Sequence, residues 1–206
     1  MKNTGDEITI NFYDAHAKSY FDATIDVDMS ECHKRFVKYL HSGDSIIDIG
    51  FGSGRDIKCF LECGFEVDGI DASIEMCKLA LEYTGADVKC CTIQDWKPKK
   101  RYSGIWANAS LVHLSKEDFE DFFRKAKMCL KESGVIYFSL KNGIDYERDD
   151  KGRYFLNLSV DDIDNILNTI LGDVEVERWE TEDKLSRQEI NWNNYIIKTK
   201  EMGVSK

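Results

Sequence analysis

The residues of this 206-residue chain best suited to chemistry are two aspartates and three glycines between positions 48 and 71. An apolar run, Ile46-Ile47, leads into Asp48-Ile49-Gly50-Phe51-Gly52-Ser53-Gly54, with glycine at every second position, and a helix-like segment, Arg55 to Cys63, follows at once. Glycine lets a backbone turn sharply and lets it approach a ligand with no Cβ in the way. A strand, a glycine turn and a helix in that order put a polar ligand at the carboxyl edge of a parallel sheet, beside the N-terminus of the helix. The next strand-like run, Phe65 to Ile70, ends in a second acid, Asp71. Its placing, about 20 residues past the glycine turn, suits a carboxylate that takes a pair of ribose hydroxyls. A nucleoside-containing ligand is therefore expected.

That ligand need not be NAD. In either frame of the glycines the third position of the dinucleotide fingerprint falls on a non-glycine, Arg55 or Ile57. No Gly-Lys-Ser or Gly-Lys-Thr phosphate loop occurs, which excludes a Walker-type nucleotidase. The pattern Asp48-x-Gly50-x-Gly52-x-Gly54, followed by a strand ending Gly69-Ile70-Asp71, resembles the class I S-adenosylmethionine-dependent methyltransferases. Two further stretches carry the resemblance. Ile105 to Leu114 is similar to the fourth-strand motif of small-molecule methyltransferases, which commonly ends in Leu-x-His, here Leu111-Val112-His113. Leu130-Lys131-Glu132-Ser133-Gly134-Val135 is similar to their Leu-Lys-Pro-Gly-Gly turn into the fifth strand. Together the motifs cover about residues 45 to 140, and the tellurite-resistance and ubiquinone-pathway enzymes belong to the group resembled. Three positions depart from the pattern: Phe51 inside the glycine turn, Ser103 where an aspartate usually opens the fourth strand, and Ser133 in place of glycine.

The resemblance implies S-adenosyl-L-methionine as cofactor and assigns residues to it. Asp48 and the turn Gly50, Gly52, Gly54 would face its methionine part, and Asp71 with Ala72 its ribose. Gln94, at the end of the third strand, would lie near the adenine, with Trp96 as a stacking partner or as plain packing; Asn108 would join the cofactor side at the end of the fourth strand. It also implies a Rossmann-like, doubly wound, seven-stranded sheet.

Methyl transfer from a sulfonium is an in-line displacement with a neutral leaving group. The protein's main task is to align donor and acceptor and to exclude water. An oxygen or nitrogen acceptor can need a base, whereas a soft anion needs none. His113 is the leading candidate base, because an unperturbed histidine titrates near neutrality; the competing reading is a structural or cofactor-side residue. His16, between Tyr13 and Tyr20 on the first helix, is a weaker candidate. Tyr13 and Tyr20 either close over the site as part of a lid or pack on the sheet. Arg148, Arg153 and Tyr154 follow the fifth strand, where an acceptor would enter, and arginine binds carboxylate or phosphate through paired hydrogen bonds. Alternatively those arginines pair with Glu147, Asp149 or Asp150.

The elements that must position these residues alternate strand-like and helix-like through most of the chain, which argues for an α/β fold with a parallel sheet covered on both faces. Helices are expected over 7–22, 31–40, 55–63, 74–83 and 116–130, and from Val160; strands over 45–49, 66–71, 87–93, 104–107, 135–140, 174–179 and 192–199. Gly64 and Gly85 read as helix ends, Ser73 and Ser115 as N-caps, and Gly134 as both a helix end and a strand opening. The last two strands, joined by a charged connector over 180–189, read as an antiparallel edge. Residues 1–40 are expected to form an N-terminal helical cap or lid, and residues 41–206 the cofactor-binding domain.

Composition narrows the partners. A net charge of −10 disfavours nonspecific binding to nucleic acid, which depends on neutralising phosphates. The cluster Lys97, Lys99, Lys100 and Arg101 stands against that balance and reads as a solvated loop. Seven cysteines without Cys-x-x-Cys spacing read as reduced, packed thiols, and no metal is expected. The polar start lacks a signal-peptide core, and no apolar run approaches the ~20 residues of a membrane span, so a cytoplasmic protein is expected. The favoured acceptor is a small molecule. The alternatives are a methyltransferase for RNA, DNA or protein, and a cofactor-binding regulator without catalysis.

Overall fold

A computed structural model describes residues 6–185 and 190–199. Helix α1 (Glu7–Thr24) starts at Asp6, whose carboxylate accepts the Thr9 N–H, and α2 (Ser30–Val37) follows. The sheet then opens with β1 (Ser45–Ile49), α3 (Arg55–Glu62) and β2 (Glu66–Asp71). Next come α4 (Ile74–Thr84), β3 (Val88–Cys90) and β4 (Tyr102–Ala107). A 3-10 turn (Leu111–His113) leads to α5 (Lys116–Cys129) and β5 (Leu130–Asn142). The chain finishes with α6 (Val160–Leu171), β6 (Val174–Glu182) and β7 (Asn191–Thr199).

The seven strands form one sheet in the order β3-β2-β1-β4-β5-β7-β6. The first five are mutually parallel, and β7 runs antiparallel to both β5 and β6. The sheet expected from the sequence resemblance is thus present, with the antiparallel strand one place in from the edge. Every residue of β1 is buried, as its uninterrupted Ser-Ile-Ile-Asp-Ile run requires of a strand covered on both faces. One face is filled by Phe119, Phe122 and Phe123 of α5 against Phe138 and Tyr195. On the other, Phe36 of α2 and Phe60 of α3 pack on Trp106, which stacks on Tyr137 at 3.8 Å between ring centres. Each such buried aromatic contributes on the order of 1.5–3 kcal/mol. Helix α2 is therefore embedded in the sheet's core, while α1 packs against α4 beside the carboxyl edge.

Local signals fixed most boundaries. Ser73, Ser115 and Ser159 each accept the N–H three residues on, and Gly85 closes α4 at φ +67°. Two expectations fail for identifiable reasons. The third strand stops at Cys90 rather than residue 93, because the Thr92 hydroxyl accepts the Asp95 N–H and the Thr92 carbonyl the Trp96 N–H, curling the chain into a turn. Gly134 neither ends a helix nor opens a strand. Leu130 already pairs with Tyr102, the register shifts before Gly104, and Ser133 takes the left-handed conformation at φ +57°. The charged connector is shorter than expected, since Glu180 to Glu182 belong to β6; residues 186–189 of it lie outside the described residues.

Candidate active site

A cavity of about 320 Å³ opens at the carboxyl ends of β1, β2, β4 and β5, the edge where a doubly wound sheet holds its ligand. Helix α1 forms one wall through Thr9, Tyr13 and Tyr20. Anchors on both sides hold that helix over the cavity. Asp14 accepts the Ser73 hydroxyl at 2.6 Å and the Glu75 N–H at 3.2 Å on one side; Thr9 Oγ1 accepts the Tyr154 N–H at 2.9 Å on the other.

The glycine turn is shaped by the protein's own packing as much as by any ligand. A Cβ on Gly50 would lie 2.4 Å from Ser110 Cβ, in the loop after β4. That loop is itself strained: Ala109 sits at φ +54°, held by its N–H donating to Ser139 Oγ at 2.8 Å. Gly54 does not line the cavity. It caps α3, and a Cβ there would press at 3.0 Å on Ala80 and Thr84 of α4, so this glycine serves helix packing.

Both aspartates of the motif line the cavity. Asp48 is 2 % exposed, and its Oδ2 has no hydrogen-bond partner among the described residues. Burial, reinforced by the neighbouring Asp56 carboxylate, pushes its pKa well above the usual carboxylate range. Asp71 is held rigidly: Oδ2 accepts the Gly52 N–H and Oδ1 the Ser73 N–H, each at 2.9 Å. Each oxygen keeps a further lone pair, which is what a vicinal diol needs.

Beneath the turn lies a buried network that the motif reading did not anticipate. Asp56 accepts Arg55 Nε at 2.7 Å and Nη2 at 2.9 Å, His33 Nε2 at 3.0 Å and Trp106 Nε1 at 2.9 Å. Burial alone would raise the Asp56 pKa, yet Arg55 and His33 hold it far below the usual range. Arg55 lines the cavity and also donates to the Thr24 carbonyl at 3.3 Å, which ties the end of α1 to α3. The local signal was an Arg-Asp pair on the first turn of a helix, where an acid meets the positive end of the helix dipole.

The other expected cofactor residues are present but partly committed. Ala72 and Gln94 line the cavity, with the Gln94 amide nitrogen donating to Asp118 at 3.0 Å. Asn108 lines it too, but its Oδ1 accepts the Ser139 hydroxyl at 3.1 Å and its Nδ2 reaches Asp56 at 3.4 Å. Trp96 is core packing beside Phe122 and does not reach the cavity.

At the far end, His113, Tyr13 and Arg153 form a chain of contacts. His113 Nδ1 donates to the Tyr154 carbonyl at 2.7 Å, which leaves Nε2 to accept the Tyr13 hydroxyl at 2.8 Å. Arg153 Nη1 donates to the same Tyr13 oxygen at 3.3 Å, while its Nε and Nη2 grip Asp149. His113 does not keep the near-neutral titration of an exposed imidazole: burial pushes its pKa down to about 4. Arg148 lies outside the cavity in an exposed ion pair with Asp6. Tyr154 contributes backbone only, its ring lying outside the cavity beside Arg148. His16 points to the Phe12 carbonyl on the exposed side of α1. Among the described residues no group of three or more His, Cys, Asp or Glu side chains is arranged to hold a metal ion, and no helix is long and apolar enough to cross a membrane.

A family model described as a methyltransferase domain matches residues 21–179. The chain belongs to that family. Solved structures agree on its fold. The 1,6-didemethyltoxoflavin-N1-methyltransferase of Burkholderia thailandensis, bound to 1,6-didemethyltoxoflavin and S-adenosylhomocysteine, superposes with a TM-score of 0.76 at 15% identity, covering 94% of this chain and 88% of that one. The DhpI-SAM-HEP complex superposes at 0.68 with 17% identity, over 96% and 99% of the two chains. The [4+2]-cyclase SpnF, at 0.70 with 12% identity over 93% and 95%, has the same fold, so the fold alone does not fix the reaction. By sequence the chain is similar to the N-terminal Xaa-Pro-Lys N-methyltransferase 1 of Danio rerio, 30% identical over 59% of this chain and 60% of that protein. The human counterpart is 29% identical over 53% and 56%. The chain thus spans little more than half the length of these curated relatives. S-adenosylmethionine is the methyl donor of this family, and the residues lining the cavity fit it: an unpartnered buried carboxylate, a guanidinium, and a rigid acid for a diol.

Proposed function

We propose that this methyltransferase transfers a methyl group from S-adenosylmethionine to a small-molecule acceptor enclosed beneath α1. The observation that carries the reading is the anchoring of α1 across the cavity, by Asp14 on one side and Thr9 and Tyr13 on the other. Asp48 takes the cofactor's ammonium, which supplies the missing partner of its Oδ2, and Arg55 faces its carboxylate. Asp71, with Ala72 beside it, holds the ribose hydroxyls, and Gln94 stands at the adenine end. Gly50 and Gly52 let the backbone come close to the methionine part. When bound, the cofactor supplies a sulfonium methyl whose S–C bond breaks as the acceptor's lone pair forms the new bond in line.

The chain's own part is to orient the acceptor and exclude water. The Tyr13 oxygen donates its hydrogen to His113 and receives one from Arg153, and it keeps a lone pair for an acceptor N–H or O–H. His113, neutral at physiological pH, serves catalysis by holding Tyr13; it takes a proton through Tyr13 only from an acceptor that becomes strongly acidic as it is methylated. Arg153 carries an anionic or polar group of the acceptor only in competition with Asp149. Calorimetry with S-adenosylmethionine and S-adenosylhomocysteine tests the cofactor, and absence of binding to folded protein would overturn the reading.

A second acceptor class is favoured by one observation. The cavity's rim carries Asp28, Glu31, Glu182 and Asp183, which suits the lysine of a basic peptide, and the curated relatives are named for acting on Xaa-Pro-Lys N-termini. Release of S-adenosylhomocysteine, measured with small-molecule pools and with Xaa-Pro-Lys peptides side by side, separates the two. Turnover with the pools is expected; turnover with the peptides alone would replace the small-molecule reading.

A further inference from the structure

Two thiols lie directly behind the turn that holds the ribose acid. Asp71 and Cys90 are register partners across β2 and β3, and Cys77 stands on the first turn of α4, next to the cavity-lining Met76. The Cys77 thiol donates to the Asp71 carbonyl at 3.6 Å, and the Cys90 thiol donates to the Ala72 carbonyl at 3.7 Å. Both thiols thus point at successive carbonyls of the same turn, Cys77 from α4 and Cys90 from β3. We propose that Cys77 and Cys90 are an oxidisable pair, a modification site whose disulfide loosens the Asp71–Ala72 turn and so weakens cofactor binding. The second half of this proposal rests on the cofactor reading given above.

The exposures of the two thiols divide the labour. Cys90 is exposed, whereas Cys77 is 8 % exposed and burial pushes its pKa up. A hydroperoxide therefore meets Cys90 first. The Cys90 sulfur attacks the peroxide's O–O bond, giving a sulfenic acid and, with hydrogen peroxide, one water. The Cys77 sulfur then attacks the Cys90 sulfur, the S–S bond forms, and hydroxide leaves with the Cys77 proton as a second water. Peroxide is reduced, two thiols are oxidised, and a thiol reductant reverses the change.

The consequence for the turn follows from geometry. A disulfide brings its sulfurs to ~2.05 Å, well inside the contact distance of two unbonded sulfurs. Both S–H donors vanish as the sulfurs are drawn together, and the Ala72 carbonyl loses the thiol it faces. Asp71 keeps the Cys91 N–H on its carbonyl at 2.8 Å, so the strand pairing survives while the turn after it shifts. Asp71 then no longer presents both oxygens at the positions set by the Gly52 and Ser73 N–H groups.

The test uses the whole protein and hydrogen peroxide. Peptides are mapped under non-reducing conditions, and S-adenosylhomocysteine affinity is measured on reduced, oxidised and re-reduced samples. The expected result is a Cys77–Cys90 cross-link, an affinity lowered about tenfold or more as charge-assisted bonds to Asp71 are lost, and recovery with reductant. Cys90→Ser should bind as reduced wild type does and resist peroxide. Cys63→Ser, which removes the exposed neighbour of Cys59 one helical turn away, should respond like wild type. Failure to find the cross-link, an unchanged affinity once it has formed, or equal peroxide sensitivity in Cys90→Ser would overturn the proposal. Reduced wild type that binds no S-adenosylhomocysteine would instead overturn the cofactor reading, and the cross-link mapped on the same sample still decides whether the thiols form a pair.

Discussion

Asp48 shows most clearly what this site costs in stability. Its folded pKa is raised by burial above the ~3.9 of an unfolded chain, so the folded state holds the proton more tightly. The resulting penalty is absent below the unfolded pKa, grows as pH rises towards the folded pKa, and stays constant above it. Asp48→Asn removes the charge. The variant's melting temperature should therefore exceed that of the wild type at pH 7, with the gap closing towards pH 4, while its affinity for S-adenosylmethionine falls. A variant less stable than wild type at pH 7 would show that the carboxylate is already well compensated. Asp71, whose pKa burial likewise raises, differs in that its two backbone N–H partners make it part of the turn. Asp71→Ala should lower cofactor affinity by about 1.5–3 kcal/mol, the range for hydrogen bonds to charged groups, and should destabilise the fold as well. Calorimetry and thermal melting on the same samples check both halves. His113 adds a pH dependence of its own. Its folded pKa of about 4 lies below the ~6.5 of an unfolded imidazole, so stability is lost as pH falls through that window. His113→Gln should flatten that part of the stability curve.

At the scale of elements, the question is what the segment after β5 does. Arg148 and Arg153 read alike in sequence, but the structure separates them. Arg148 makes an exposed pair with Asp6, of the kind worth ~0–1 kcal/mol. Arg153 is packed over Phe12 and Phe155, grips Asp149 through two nitrogens and reaches Tyr13. Arg153→Ala should raise the acceptor's KM several-fold and leave cofactor affinity nearly unchanged, whereas Arg148→Ala should change neither; steady-state kinetics and calorimetry distinguish them. Equal effects would mean that α1 is held by the outer pair rather than the inner one. What the sequence revealed at this scale was whatever is local. A serine cap and its third N–H, or a glycine at a helix end, are set within a few residues, so the caps of α4 and α5 were visible in advance. The glycine turn and its two acids were legible because spacing alone encodes them. Gly134 misled because the decision there belongs to β4: the pairing of Leu130 with Tyr102 starts the strand before the glycine is reached. The Asp56 network was invisible for the same reason, since it joins His33, Arg55 and Trp106 from three separate elements. The low pKa of His113 was equally hidden, since burial by residues distant in sequence sets it.

At the scale of the whole molecule, the placing of charge bears on the acceptor. The net charge is −10, and the one dense basic cluster, Lys97, Lys99, Lys100 and Arg101, precedes β4. Its end, at Arg101 beside Ser45, therefore lies at the amino edge of the parallel strands, across the sheet from the cavity, and none of the four residues lines that cavity. Lys100 is already paired with Asp68 and lies over Tyr102. A polyanion gripped by this cluster would be held on the wrong side of the sheet for its atoms to reach the site. Replacing all four residues with serine should leave S-adenosylmethionine affinity and turnover of a small acceptor within about twofold of wild type, since exposed charges this far away are screened within ~8–10 Å at ordinary ionic strength. Were the acceptor a nucleic acid duplex, the same variant would lose four phosphate contacts and its binding would flatten against log salt by about 3–4 in slope. Titration of wild type and variant with a duplex and with tRNA across a salt series reads this directly. Weak binding indifferent to the substitutions is the expected outcome; tight, salt-sensitive binding that the four serines abolish would move the acceptor from small molecules to nucleic acid.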